Sequence, residues 1–276
     1  MPDLKDKVAV VTGATRGIGR QAALALARRG AHVVAVGRTS RDAPHAALPG
    51  SVEEVAEALE AWGIEAIGVQ ADLSDEAATA AIIDTTLDRF GRADIVVNNA
   101  AYTSNGPMLE VPWHRWQRAF RVQVVAPLQL ATGFLPGMIE RGHGAICNVS
   151  SGVSQSLTPG LSLYSTTKLA MERWSDYLDL ELSGSGVAVN TLRVDRLVAT
   201  EGWQHIADTQ GVEVASGGAS VIEMVEPSLV GDQIAWMLEQ ASSWTGNTLG
   251  IDEVATLGGP AVPPTSNEKT AKGTTS

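Results

Sequence analysis

Seven short runs rich in β-branched residues alternate along the chain with longer segments of helical periodicity, and no other feature narrows the fold as far. The runs are Val8–Thr12, 32–36, Ala66–Gln70, Ile95–Asn98, 145–149, 187–192 and 248–251. Each is bounded by Gly, Asp or Asn and reads as continuously apolar instead of alternating, as in a strand covered on both faces. Helices are expected near 17–29, 51–62, 75–90, 112–141, 164–183 and 228–240. Strand–helix–strand alternation of this kind predicts an α/β fold, a doubly wound sheet of about seven parallel strands with helices on both faces. The 276 residues suit one domain, expected over 1–258. Two segments fall outside the alternation: a polar, proline-containing loop at 39–50, and a tail at 259–276 whose Pro, Thr, Lys and Gly content predicts no fixed structure.

Local chemistry sets several boundaries. Ser51 with Glu54 makes a capping box, Asp75 and Glu76 favour a first helical turn through the dipole, and Gly30 and Gly63 supply helix stops. The net charge of −11 opposes nucleic acid and anionic membranes as partners, so an anionic cofactor needs a local basic patch. The one cysteine, Cys147, sits in an apolar run and is expected to be a buried, inert thiol. The charged opening MPDLKDK has no secretory apolar core, and no apolar run reaches the roughly 18 residues of a membrane span; a cytoplasmic protein is expected. His and Cys show no ligand spacing, so no metal is expected.

The first strand runs into Gly13-Ala14-Thr15-Arg16-Gly17-Ile18-Gly19 and then a helix. Strand, glycine turn and helix start are the context of a dinucleotide cradle. Gly13 allows the sharp turn, Gly17 lets backbone approach a pyrophosphate, and Gly19 lets the helix pack close; the free N–H groups of the helix start then face the phosphates.

Written as T-G-xxx-G-x-G, residues 12–19 resemble the short-chain dehydrogenase/reductase family, and the likeness covers about residues 5–255. The resemblance implies a Rossmann-type fold and hydride transfer between a nicotinamide cofactor and a small ketone, aldehyde or secondary alcohol. It also implies a homo-oligomer, tetramer or dimer, built through the helices near 112–141 and 164–183. Cofactor contacts are implied for Gly13, Thr15, Arg16, Gly17, Ile18, Gly19, Leu73 and Asn99. Asp72 matches the family residue that accepts from the adenine amino group, with helix capping as its competing role. Asn98-Asn99-Ala100-Ala101 resembles the family's N-N-A-G; Asn98 is expected to brace the sheet and contact the adenosine side, and Ala101 to be tolerated if its φ is negative.

The end of the second run, Val36-Gly37-Arg38-Thr39-Ser40, holds no carboxylate for ribose hydroxyls. Arg38 offers a fork of donors to a 2′-phosphate, Arg16 can reach the same group, and Thr39 and Ser40 add hydroxyls. NADP(H) is therefore expected over NAD(H), with NAD(H) as the alternative.

Tyr164 and Lys168 form a Y-xxx-K on one helix face. A lysine cation nearby would lower the phenol's pKa from about 10, so that Tyr164 exchanges a proton with the substrate oxygen. Lys168 would also hold the nicotinamide ribose, as in the family. Ser151, thirteen residues before Tyr164, matches the family's catalytic serine; Ser150 is the runner-up.

The pattern breaks twice. Gln123 stands where the family has a water-holding asparagine, and either keeps that relay role or only packs. Val194 and Asp195 replace the Pro-Gly of N-xxx-P-G; Leu197 is then the expected nicotinamide contact, and Asp195 either faces the nicotinamide or, preferably, pairs with Arg193 or Arg196. Residues 200–226 correspond to the family's substrate lid and hold Trp203, His205, Ile206 and a small-residue stretch at 215–220. Trp113, Tyr102 and Met108 are further candidates for apolar walls, and a largely apolar substrate is expected. The rival reading is a cofactor-binding homologue with little turnover.

Overall fold

The structure, a computed structural model, describes residues 3–210, 224–240 and 242–262. Its strands are β1 (Val8–Thr12), β2 (His32–Gly37), β3 (Ala66–Gln70), β4 (Ile95–Asn98), β5 (Gly144–Ser151), β6 (Val187–Val194) and β7 (Thr248–Gly250). Its helices are α1 (Gly17–Ala27), α2 (Val52–Glu60), α3 (Glu76–Phe90), α4 (Trp113–Phe120), α5 (Ala126–Glu140), α6 (Ser162–Glu181), α7 (Glu201–Gln210), α8 (Pro227–Glu239) and α9 (Ile251–Thr256). The strands form one parallel sheet of order β3-β2-β1-β4-β5-β6-β7. Successive side chains of a strand point to opposite faces, so β1 sends Ala9 and Val11 into the core against α1 and α8, and Val8 and Val10 into the core against α3 and α5. Both faces are covered, as the continuous apolar runs predict. β3 is the exception: as an edge strand it alternates between buried or half-buried and exposed positions.

β5 and β6 run two residues beyond their apolar stretches because they pair to the very end, Ser150 with Arg193 and Ser151 with Val194. That extension carries Ser151 to the C-terminal rim of the sheet. The segment expected as one helix near 112–141 is α4 and α5 joined by a π turn at Arg121–Val125, which sets Gln123 into the core. The continuous helix Trp113–Glu140, 28 residues, is apolar and long enough to cross a membrane. Here Leu130, Phe134 and Met138 lie buried in the core against α3 and the sheet.

Ser51 closes the predicted capping box with Glu54. At α3 the cap is Asp75, which accepts from Ala77 and Ala78 N–H. Gly30 and Gly63 take positive φ just past α1 and α2. Within 200–226 the described parts are Thr200, α7 and residues 224–226, where Val225 bridges to Val198; the stretch 215–220 lies outside the described residues, as do residues 263–276 of the tail.

Candidate active site

Strand order reverses between β1 and β4, the position at which doubly wound sheets open a crevice beyond their strand ends. A cleft of about 370 Å³ lies along this rim. Its floor is the glycine turn. Gly13 has φ +67°, and an added Cβ would lie 2.8 Å from the Asn99 amide nitrogen. Asn99 donates to the Thr12 and Gly13 carbonyls (2.9 and 3.3 Å), while the Thr12 hydroxyl accepts from the Asn99 and Ala100 N–H groups (3.0 and 3.1 Å). Ala101 has negative φ.

Gly13, Thr15, Arg16, Gly17, Ile18, Arg38, Thr39, Asp72, Leu73, Asn99, Ser151, Tyr164, Lys168 and Leu197 all line the cleft. Gly19, Asn98 and Gln123 do not. Gly19 is packed behind the turn, where a Cβ would run into the Gly13 carbonyl and the Asn99 amide; its role is close packing and not contact. Asn98 is buried and donates to Asn148 (2.8 Å), bracing the sheet away from the adenosine side.

The N–H of Gly17 points outward and donates to the carboxylate of Glu201 on α7 (3.1 Å). That contact shows the cradle to be anion-accepting, and sequence reasoning did not find Glu201, which lies 184 residues away. Arg38 is exposed at the end of β2, and Arg16 bonds the Pro49 carbonyl (3.0 Å) and the Thr39 hydroxyl (3.4 Å). Burial lowers the Arg16 pKa, and the charge of Arg38 lowers it further. Burial and the same two arginines, with His205, hold His45 below the usual histidine range. Thr39 donates its hydroxyl to the Gly50 carbonyl (2.7 Å), and the Ser40 hydroxyl accepts from Ala43 N–H; both close the 39–50 loop on itself, and the Arg16 bonds tie it to the turn. Asp72 accepts from the Ser74 N–H and hydroxyl and from Arg118 (2.8 Å). Burial raises its carboxyl, and these partners outweigh that, leaving it below the usual range.

At the other end of the cleft Ser151 and Tyr164 share one wall, with the Ser151 side chain close enough to act on the phenol's charge. Ser150 is turned away onto Glu172 (2.6 Å), so Ser151 is the serine that faces the phenol. Lys168 is buried, donates to the Val149 carbonyl (2.6 Å), and holds its ammonium 5.6 Å from the Tyr164 ring centroid. Burial brings Lys168 down to about 8, against the pull of Glu172. The expected acidification of Tyr164 is not found: burial pushes the phenol up to about 12, opposed by the Ser151 side chain. The ammonium lies toward the ring, and burial of the phenol outweighs the effect of Ser151. Gln123 accepts from Tyr102 N–H (2.9 Å) and donates to the Thr167 hydroxyl (2.6 Å), so both ends of its amide are engaged by protein and it braces the post-β4 loop against α6.

Beyond β6 the preferred pairing of Asp195 fails. Arg193 binds Glu172, Arg196 binds Asp252 (2.8 Å), and Asp195 instead accepts from Ile251 N–H at the start of α9 (3.2 Å). Of the expected apolar walls, Tyr102 and Trp203 line the cleft. His205 faces a neighbouring shallow pocket, Ile206 lies outside the cleft lining, and Trp113 and Met108 are exposed outside it. The Trp203 indole N–H is buried with no partner among the described residues. Cys147 is buried, which pushes its thiol up to about 12 and leaves it unreactive at neutral pH.

A cradle for an anionic dinucleotide that opens onto a phenol, a hydroxyl and an ammonium defines an oxidoreductase site of the nicotinamide type. A short chain dehydrogenase family model matches residues 7–211, and the chain belongs to that family. L-xylulose reductase of Mesocricetus auratus is 35% identical over 251 residues, 90% of this chain and 96% of the relative. Glucose 1-dehydrogenase 2 of Bacillus subtilis is 31% identical, covering 92% and 96%. The crystal structure of L-sorbose reductase from Gluconobacter frateurii, complexed with NADPH and L-sorbose, superposes with a TM-score of 0.80 at 28% identity, covering 91% of this chain and 97% of that one.

Proposed function

We propose that this enzyme reduces a ketone or aldehyde of a small molecule with NADPH, Tyr164 donating the proton. The observation that carries the reading is the Ser151–Tyr164 hydroxyl pair, with the Lys168 ammonium against the phenol ring, at the open end of the glycine-turn cleft. The residues fit the cofactor. The Gly17 N–H already donates to an anion in the form of Glu201, and Arg16 and Arg38 repel each other in the way a 2′-phosphate would relieve. Asp72, Leu73 and Asn99 would flank the adenosine half, and Lys168 and Leu197 the nicotinamide half. When bound, the cofactor supplies the hydride. Ser151 orients the substrate oxygen, Tyr164 gives it a proton, and Lys168, with its ammonium at the Tyr164 ring, would hold the nicotinamide ribose.

Residues 1–258 act as one domain in this reading, with 200–226 as the lid, since Thr200 and Glu201 already meet the glycine turn. The exposed Leu169, Tyr177 and Leu180 share a face of α6 and fit a homo-oligomer, testable by light scattering. A cytoplasmic setting accords with a lone buried thiol. The Trp203 N–H suits a substrate with an acceptor beside its carbonyl, and several relatives are named for ketose reduction. Purified enzyme with NADPH and a panel of alkyl ketones, aromatic aldehydes, L-xylulose and L-sorbose tests the reading by loss of dihydronicotinamide absorbance. Cofactor binding without turnover across the panel would favour a binding protein, and equal affinity for NADH would remove the 2′-phosphate site.

A further inference from the structure

Glu172 lies one helical turn beyond Lys168 on the buried face of α6, and the proton-transfer step as written does not use it. Its carboxylate accepts from the Ser150 hydroxyl (2.6 Å), the Ser154 hydroxyl (2.6 Å), the Gln155 amide (3.0 Å) and both Nε and Nη2 of Arg193 (3.1 and 2.9 Å). The donors come from the end of β5, from the short 3-10 turn Gly152–Gln155, and from the end of β6. A carboxylate 5% exposed is costly to keep unless its charge is satisfied, and here every contact ties down a segment of the site. Ser150 immediately precedes Ser151, and Arg193 precedes the loop that carries Leu197.

The bend after β6 lacks the proline that would fix φ. It is held from outside by side chains instead: Arg193 on Glu172, Asp195 on the Ile251 N–H, and Arg196 on Asp252. We propose that Glu172, paired with Arg193, is a positioning residue that clamps the Ser151 strand end and the post-β6 loop to the Tyr164–Lys168 helix. The proposal rests on Tyr164 and Lys168 being the proton-transfer pair.

The charged and titratable groups around this array are few. Tyr164 and Glu172 lie beside Lys168 on α6, Arg193 stands opposite on β6, and Asp195 and Glu253 lie on the far side of Arg193. Glu172 opposes the fall that burial imposes on Lys168. Removing the carboxylate lets Lys168 lose its proton at lower pH, and activity that needs the ammonium falls with it.

The test is kcat/KM against pH at saturating NADPH for wild type, Glu172→Gln, the double variant Glu172→Gln/Arg193→Met, and Tyr164→Phe, with thermal unfolding of each. Both Glu172 variants should move the alkaline limb down by about one unit, about a fivefold loss at pH 8 with little change at pH 6. The double variant should recover thermal stability over the single one, because it leaves no half-buried guanidinium without its carboxylate, yet keep the shifted limb. A wild-type pH profile in the double variant overturns the proposal by reducing Glu172 to a fold residue. Retained turnover in Tyr164→Phe would instead overturn the functional reading beneath it.

Discussion

The two ends of the cleft are built by different means. Around β1 and β4 the groups presented to a ligand are backbone N–H groups, shaped by Gly13 and Gly17 and held by Thr12 and Asn99. Around β5 and β6 they are side chains, and their positions depend on a buried carboxylate with five hydrogen bonds from three segments. A backbone cradle tolerates surface change but no added volume, because its shape is fixed by what the glycines lack. A side-chain site tolerates volume better than a change of charge, because removing one member leaves its partner buried and unpaired.

The largest effect should come at the side-chain end. Tyr164→Phe removes one oxygen and little volume. Loss of the general acid should lower kcat/KM by roughly 10³-fold, with NADPH affinity, read by fluorescence titration, within about twofold of wild type. Comparable loss of binding would mean that the phenol belongs to the cradle as well, and the division between the two ends would fail.

Gly19→Ala is the matching probe at the backbone end. Gly19 touches no ligand in this reading, yet a methyl there meets the Gly13 carbonyl and the Asn99 amide. Overpacking at such a point costs about 1–3 kcal/mol, and the displaced turn should weaken NADPH and NADH alike by about tenfold. Calorimetric unfolding and titration check it. Wild-type affinity in the Gly19→Ala variant would show the cradle to be more plastic than its contacts suggest.

The same division explains what was legible in the sequence. Glycine positions declare themselves because the requirement is the absence of a side chain, and the flanking strand and helix fix their context. Tyr164 and Lys168 fall on one helix face because four residues make a helical turn, and Ser151 was singled out by its match to the family's catalytic serine thirteen residues before the tyrosine. Glu172 continues that spacing, four residues after Lys168, and an acid on the buried face of a helix was a signal available but not taken. The partner of Asp195 was not legible: Arg193, Asp195 and Arg196 stand within four positions, and only the β5–β6 register and the fold of α9 decide that Glu172 and Asp252 take the arginines. Gln123 was undetermined for the same reason, since the partners of its two amide ends, Tyr102 and Thr167, meet only after the π turn forms. Tyr164 was misjudged on energy and not on place: spacing puts a lysine near a phenol, but the balance between burial and charge is a three-dimensional quantity.

Arg38→Ala separates the cofactors. Loss of a charged donor to phosphate should weaken NADPH by about ten- to thirtyfold, about 1.4–2 kcal/mol, and leave NADH within about twofold. Parallel titrations with both cofactors check it. An equal loss for both would move Arg38 from the 2′-phosphate to the shared pyrophosphate.

The smallest effect, and the sharpest for the comparison, is at Glu201, where the two ends meet. Its carboxylate accepts the Gly17 N–H at 3.1 Å, at the positive start of α1, where an anion is stabilised by about 0.3–1 kcal/mol. A pyrophosphate bound at the glycine turn would seek the same N–H and so compete with the Glu201 carboxylate for it. Glu201→Gln keeps an acceptor of nearly the same shape but removes the competing charge. NADPH and NADH should therefore both bind about threefold tighter, in contrast to the split at Arg38, and the gain should shrink as salt screens the carboxylate. Weaker binding in Glu201→Gln would reverse the relation: Glu201 would then hold α7 over the bound dinucleotide, and the lid would belong to the cradle instead of competing with its ligand.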